Sequence, residues 1–161
     1  MDSDRLEALR ALYDDYLTRI AGIEAKQKPG EGLFGLRGGA KDDPCHERFY
    51  RDVEAFLTDF RPEEQTPEEV RPLLEHIYFA PERKSQARSA YWMLLVVHRL
   101  TLPLIGALPQ EDAAALAERY DAAYPGRERL PAQDEVLDAL RERAGLEKRK
   151  RRRFFFDKEE K

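Results

Sequence analysis

Residues that carry sulfur chemistry or nucleophilic catalysis are scarce in this chain. Its one cysteine, Cys45, cannot close a disulfide within the chain. The opening stretch MDSDRLEALR is charged rather than apolar, unlike a secretory leader. Together these features set the expectation of a reducing, cytoplasmic setting. Serine occurs only at Ser3, Ser85 and Ser89, and none sits in a nucleophile-elbow pattern. The three histidines, His46, His76 and His98, lack the H-x-x-x-H, C-x-x-C and E-x-x-H spacings that build metal centres. No catalytic residue, metal or cofactor is therefore expected.

Strand patterns are missing as well. No segment alternates apolar and polar residues for long, and the nearest, LTLPLIGAL, contains a proline. No fixed-period repeat is visible. One apolar run, residues 90–108, approaches the length of a bilayer span. His98 and Arg99 lie in its middle, where an arginine costs about 2.5–3.5 kcal/mol in a membrane. Pro103 and Gly106 then divide it, so no transmembrane segment is expected.

Charge is what the chain has in plenty. Charged residues make up 37% of its 161 positions, against 42% apolar, and the apolar ones recur at regular intervals, as in a folded domain rather than a disordered chain. The net charge of −4 is unevenly spread. Residues 148–161 hold eight basic and three acidic side chains, which leaves residues 1–147 with a net charge of −9. An acidic body argues against broad nucleic-acid binding by that body.

The periodicity predicts an all-α protein: a single compact bundle of five or six helices over residues 1–147, with a Gly-rich connecting loop at 28–43 and a basic C-terminal tail at 148–161. Leu6, Leu9, Tyr13, Tyr16, Ile20 and Ile23 form an a/d seam over residues 3–26. That seam can pack inside the monomer or against a second copy, so homo-oligomerisation stays open. Asp43-Pro44 reads as the start of a second helix, with Phe49, Val53, Phe56, Leu57 and Phe60 on one face. Thr66-Pro67-Glu68-Glu69 reads as a capping box. Pro72 follows within the same segment, and an interior proline costs about 3 kcal/mol, so the main helix is expected to start near Pro72. A central apolar helix is expected near residues 85–102, with His98 hydrogen-bonded at the core and Arg99 paired with an acid. Two further helices are expected, one from Gln110 with Leu116, Tyr120, Ala123 and Tyr124 inward, the other from Pro131 with Val136, Leu137 and Leu140 inward and Gly145 as its stop.

Three stretches stand out as candidate sites. The loop GEGLFGLRGGAKDDPCH contains a literal G-x-G-x-x-G, but a helix rather than a strand precedes it, and Lys41 is followed by Asp42 rather than Ser or Thr. A connecting role is expected, with Leu33, Phe34, Leu36 and Arg37 as a candidate interaction loop. Cys45 lies at a helix start, where free N–H groups favour a thiolate, so Cys45 with His46 is the candidate reactive thiol. Adjacent helical residues diverge, which argues against a direct pair between them. The tail joins Lys148, Arg149, Lys150, Arg151, Arg152 and Arg153 to Phe154, Phe155 and Phe156, a combination suited to nucleic acid or an anionic surface. Taken together, the sequence leads to the expectation of a non-catalytic helical protein-interaction module: an adaptor, regulator or accessory factor with an unidentified protein partner. The alternatives are a nucleic-acid accessory protein acting through residues 148–156, and a thiol enzyme or redox sensor using Cys45.

Overall fold

The structure, a computed structural model, describes residues 2–26, 44–60, 66–82 and 90–146. The Gly-rich loop, with Leu33, Phe34, Leu36 and Arg37, and the tail from Lys148 to Phe156 lie outside the described residues. Within them the protein is all-α. Seven α-helices follow in order: α1 (Asp2–Lys26), α2 (Cys45–Asp59), α3 (Pro67–Phe79), α4 (Tyr91–Val96), α5 (Leu102–Ile105), α6 (Gln110–Ala123) and α7 (Pro131–Arg143). A 3-10 segment, Val97–Thr101, joins α4 to α5, so that residues 90–105 act as one interrupted rod and the bundle has six rods.

The α1 seam turns inward. Leu9, Tyr13, Tyr16 and Ile20 are all buried, and α1 packs against α2 and α3. The seam is thus used within the monomer. On α2, Phe49, Val53, Leu57 and Phe60 are buried as their spacing requires. The helix begins at Cys45, with Pro44 before it in a helical conformation and its carbonyl accepting from Arg48 N–H at 3.0 Å. Asp43, the expected cap, lies outside the described residues.

The expected break at Pro72 does not occur. Helix α3 runs unbroken from Pro67 through Pro72 to Phe79. The physical reason lies in which hydrogen bond the proline deletes. Its missing N–H would have reached the carbonyl of Glu68, an exposed residue in the first turn, where water can replace the bond. The turn is also well fixed: the Glu69 carboxylate accepts the Thr66 backbone N–H at 3.0 Å, and Val70 N–H reaches the Thr66 carbonyl at 3.2 Å.

The central apolar segment differs more from expectation. It lies at the centre of the fold, but it is neither regular nor covered on every side. Tyr91 and Trp92 are 46% and 41% exposed, whereas Met93, Leu94, Leu95 and Val97 are buried. The tighter 3-10 turn that follows places Val97–Thr101 against α2, α3 and α7. Arg99 leaves the core and meets Glu135 of α7 at 3.4 Å. No helix among the described residues is long and apolar enough to cross a membrane.

Polar stitches close the far end of the bundle. Gln133, 1% exposed, donates to the Leu95 carbonyl at 2.7 Å and accepts from Leu130 N–H at 3.0 Å, so both ends of its amide are used. Arg129 bonds Asp134, Asp121 and the Tyr124 carbonyl, fixing the α6–α7 connection. Arg143 donates to the Leu108 carbonyl at 2.7 Å, and Gln110 to the Ala144 carbonyl at 2.8 Å. Helix α7 ends at Gly145, which has φ of +74°. Leu146 N–H bonds the Arg141 carbonyl and Gly145 N–H that of Glu142, the double bond of a Schellman stop.

A side chain at Gly145 would be strained by its backbone and would put a Cβ 2.8 Å from Gln110 Nε2. Gly145→Ala is expected to cost roughly 1–2 kcal/mol. Chemical denaturation monitored by circular dichroism checks this, and an unchanged midpoint would contradict it.

Candidate functional site

Each of the three histidines is buried against a different tyrosine. His46, at the start of α2, has Nδ1 2.5 Å from the Tyr16 hydroxyl of α1, and its ring lies 5.6 Å from that of Trp92. Phe49 stacks on Tyr16, with ring centres 4.1 Å apart. His76, on α3, meets Tyr13 edge-on at 4.7 Å, and Tyr13 meets Phe49 in the same way at 4.9 Å. Burial pushes the Tyr13 hydroxyl far above its ordinary pKa. Burial does the same for Tyr16, with smaller contributions from Cys45 and Glu24. Neither phenol ionises in the folded protein near neutral pH.

The third histidine is the most enclosed. His98 is fully buried in the 3-10 turn, ringed by Tyr78 of α3 at 5.4 Å, Tyr120 of α6 at 5.7 Å and Tyr124 at 5.5 Å. Its Nδ1 lies 2.8 Å from the Tyr120 hydroxyl. One of these two atoms donates to the other, and Nε2 is buried outside standard hydrogen-bond reach of any partner. Thr101 donates to the His98 carbonyl at 2.7 Å, so Tyr78 donates in turn to Thr101 Oγ1, also at 2.7 Å. Tyr124 closes the network by donating to the Tyr78 carbonyl. Desolvation drives the His98 pKa down from 6.5 to about 3, opposed only in part by the Ile77 carbonyl. The imidazole is therefore neutral throughout the physiological range.

Cys45 is partly buried at the first position of α2. It borders a shallow surface dimple of about 10 Å³ between α1 and α2, lined by Asp15, Arg19, Arg48 and Asp52 among others. That volume holds a single water at most. His46 is adjacent in sequence, but its Nδ1 is held by Tyr16. Among the described residues no group of three or more His, Cys, Asp or Glu side chains is arranged to hold a metal ion.

A larger concavity went unread in the sequence. Between α1, α3 and α6 lies a half-open cleft of about 230 Å³. Leu6 and Arg10 line it from one face of α1. Pro72, Glu75, His76 and Phe79 form one helical stripe of α3, and Arg119 completes the cleft from α6. The Arg119 guanidinium lies over the Phe79 ring, 3.7 Å from its centre. Glu75 pairs with Arg71 at 2.8 Å, and Arg71 reaches Asp112 at 2.5 Å. Leu6 and Pro72 could be found as ordinary amphipathic positions, but no local pattern links Arg10, Glu75 and Arg119. Only the packing of the three helices brings them together.

No protein-family model, curated protein or solved structure matches this chain.

The low pKa of His98 makes stability depend on pH in a definite direction. An unfolded chain binds the His98 proton near pH 6.5, and the folded one near 3. Between those values the unfolded state holds more protons, so stability falls as pH falls. The native chain is expected to lose roughly 1.4 kcal/mol per pH unit from about pH 6 to 4, relative to His98→Asn. Urea denaturation of both proteins across that interval checks this, and parallel curves would contradict it.

Proposed function

We propose that this protein acts by binding another protein, as an adaptor, regulator or accessory factor, and that the aromatic pair Tyr91-Trp92 is part of the contact surface. The observation that carries this reading is their exposure, 46% and 41%, at the start of a helix whose next three residues are buried. Large aromatic side chains lose little conformational entropy on binding and are enriched at the centres of protein interfaces. The Trp92 ring is braced by His46 beneath it, which pre-orders one of the anchors before any partner arrives. An intracellular location accompanies this reading, on the strength of the single cysteine.

A second reading rests on the sequence of the tail. Six consecutive basic residues, Lys148 to Arg153, precede Phe154, Phe155 and Phe156, a composition that binds single-stranded nucleic acid by charge and stacking. Deleting residues 148–156 separates it from the first, because salt-sensitive nucleic-acid binding is lost only if the tail provides it.

The first reading is checked with the chain's one tryptophan. Photo-crosslinking from position 91 is expected to trap a discrete partner, and that purified partner is expected to change Trp92 emission on titration. Tyr91→Ala combined with Trp92→Ala is expected to weaken the complex about a hundredfold, since each interface aromatic contributes roughly 1–2 kcal/mol or more. Failure to trap a partner, or full affinity in the double variant with an unchanged thermal melt, would contradict it.

A further inference from the structure

Apolar surface left in solvent is confined to a few places. Among the described residues, the exposed large apolar side chains are Tyr91, Trp92, Leu130 and Leu146. They stand around helix α7. Leu130 precedes it, Leu146 follows it, and the aromatic pair lies one turn before Leu95, whose carbonyl takes the Gln133 amide at 2.7 Å. The described residues end at Leu146, and Phe154-Phe155-Phe156 begins eight residues further on. Three phenylalanines in a row are costly to leave in water.

Reach and charge both suit a return of that segment along α7. Gln133 lies roughly 20 Å from Leu146 along a helix, and Trp92 is one further turn, roughly 5 Å, beyond Leu95. Eight to ten residues of extended chain cover up to roughly 26–33 Å, enough to bring the phenylalanines back to the pair. Residues 148–153 are six consecutive bases, whereas residues 1–147 carry a net charge of −9. Over residues 131–146 four acids face two bases, a net of −2. Glu135, Asp138 and Glu142 fall at i, i+3 and i+7 on one face of α7, and Glu135 and Glu142 are exposed. Arg143 is turned to the Leu108 carbonyl.

We propose that, in the free protein, Phe154-Phe155-Phe156 pack on Tyr91 and Trp92 of the same chain, with residues 148–153 laid along the acidic side of α7. The contact is intramolecular and occludes the pair. Aromatic rings gain from edge-on and offset contact with one another beyond the area they bury. A tether this short holds them at roughly millimolar effective concentration, so a contact too weak for separate molecules is populated within one. The inference stands on exposure, reach and charge and needs no partner protein. Any partner that uses the pair has to displace the segment first.

Trp92 is the only tryptophan, so its emission and its indole N–H report on this surface alone. In the full chain at low salt, nuclear Overhauser contacts are expected between that indole and the rings of Phe154, Phe155 and Phe156. Replacing all three together, Phe154→Ala, Phe155→Ala and Phe156→Ala, is expected to shift Trp92 emission to the red. The same variant is expected to raise acrylamide quenching of Trp92 about twofold, as covered ring surface returns to water, with far-UV circular dichroism unchanged. Added salt, which screens the basic run, is expected to move both readings of the unaltered chain the same way. Leu33→Ala with Phe34→Ala, in the Gly-rich loop, is expected to leave both readings unchanged, and so is dilution. Absence of the Overhauser contacts, or an unchanged Trp92 in the triple variant, would overturn the proposal. So would an equal response to the loop variant, which gives the surface to the loop, or a response to dilution, which gives it to a second copy.

Discussion

The fold depends on a polar knot at the centre of a mostly apolar interior. At the centre of the bundle the chain tightens into a 3-10 turn, Val97–Thr101, that touches α2, α3 and α7. A 3-10 turn has poorer hydrogen-bond geometry than an α-helix, so burying one carries a penalty unless its polar groups find partners. Here several do: Thr101 donates to the His98 carbonyl, Tyr78 donates to Thr101, and Tyr120 pairs with His98 Nδ1, while His98 Nε2 is buried without a hydrogen-bond partner. Gln133 takes the Leu95 carbonyl just before the turn. The network ties α3, α6 and α7 to one short segment, and the two tyrosine hydroxyls used are attached to rings that also fill space.

That arrangement positions the surfaces discussed above. Tyr124 binds the Tyr78 carbonyl near the end of α3, which fixes α6 beside α3 and so sets Arg119 over Phe79. Helix α1 completes the cleft because its inward seam, Tyr13 above all, packs on His76. At the other end of the rod, burial of Met93, Leu94 and Leu95 faces Tyr91 and Trp92 outward. A helix must present some side to solvent, and here that side carries two aromatic rings.

Much of the architecture was legible in the sequence because it rests on local rules. The spacing of Leu9, Tyr13, Tyr16 and Ile20, the acid-rich start of α6 and the Gly145 stop are all near-neighbour signals, and each element stands where they place it. Pro72 misled because the penalty for an interior proline depends on whether the orphaned carbonyl can reach water, which the sequence does not show. The central rod misled because a uniformly apolar run has no period from which to read an exposed face. The histidine–tyrosine pairs join residues 30 and 22 positions apart in two of the three cases, beyond any local pattern. The cleft was hidden for the same reason, since Arg10, Glu75 and Arg119 converge only through tertiary packing. Cys45 and His46 were visible as neighbours, and what the structure adds is that Tyr16 holds the imidazole.

The central claim is that a neutral, fully enclosed His98 anchors the knot. The most direct measurement is the ¹⁵N chemical shifts of the three imidazole rings, followed from pH 7.5 to 4.5 in the folded protein. The account predicts that one ring, assigned to His98 by its loss in His98→Asn, keeps a single proton and does not titrate over that interval. A His98 ring that gains a second proton near pH 6 while the protein remains folded would contradict it.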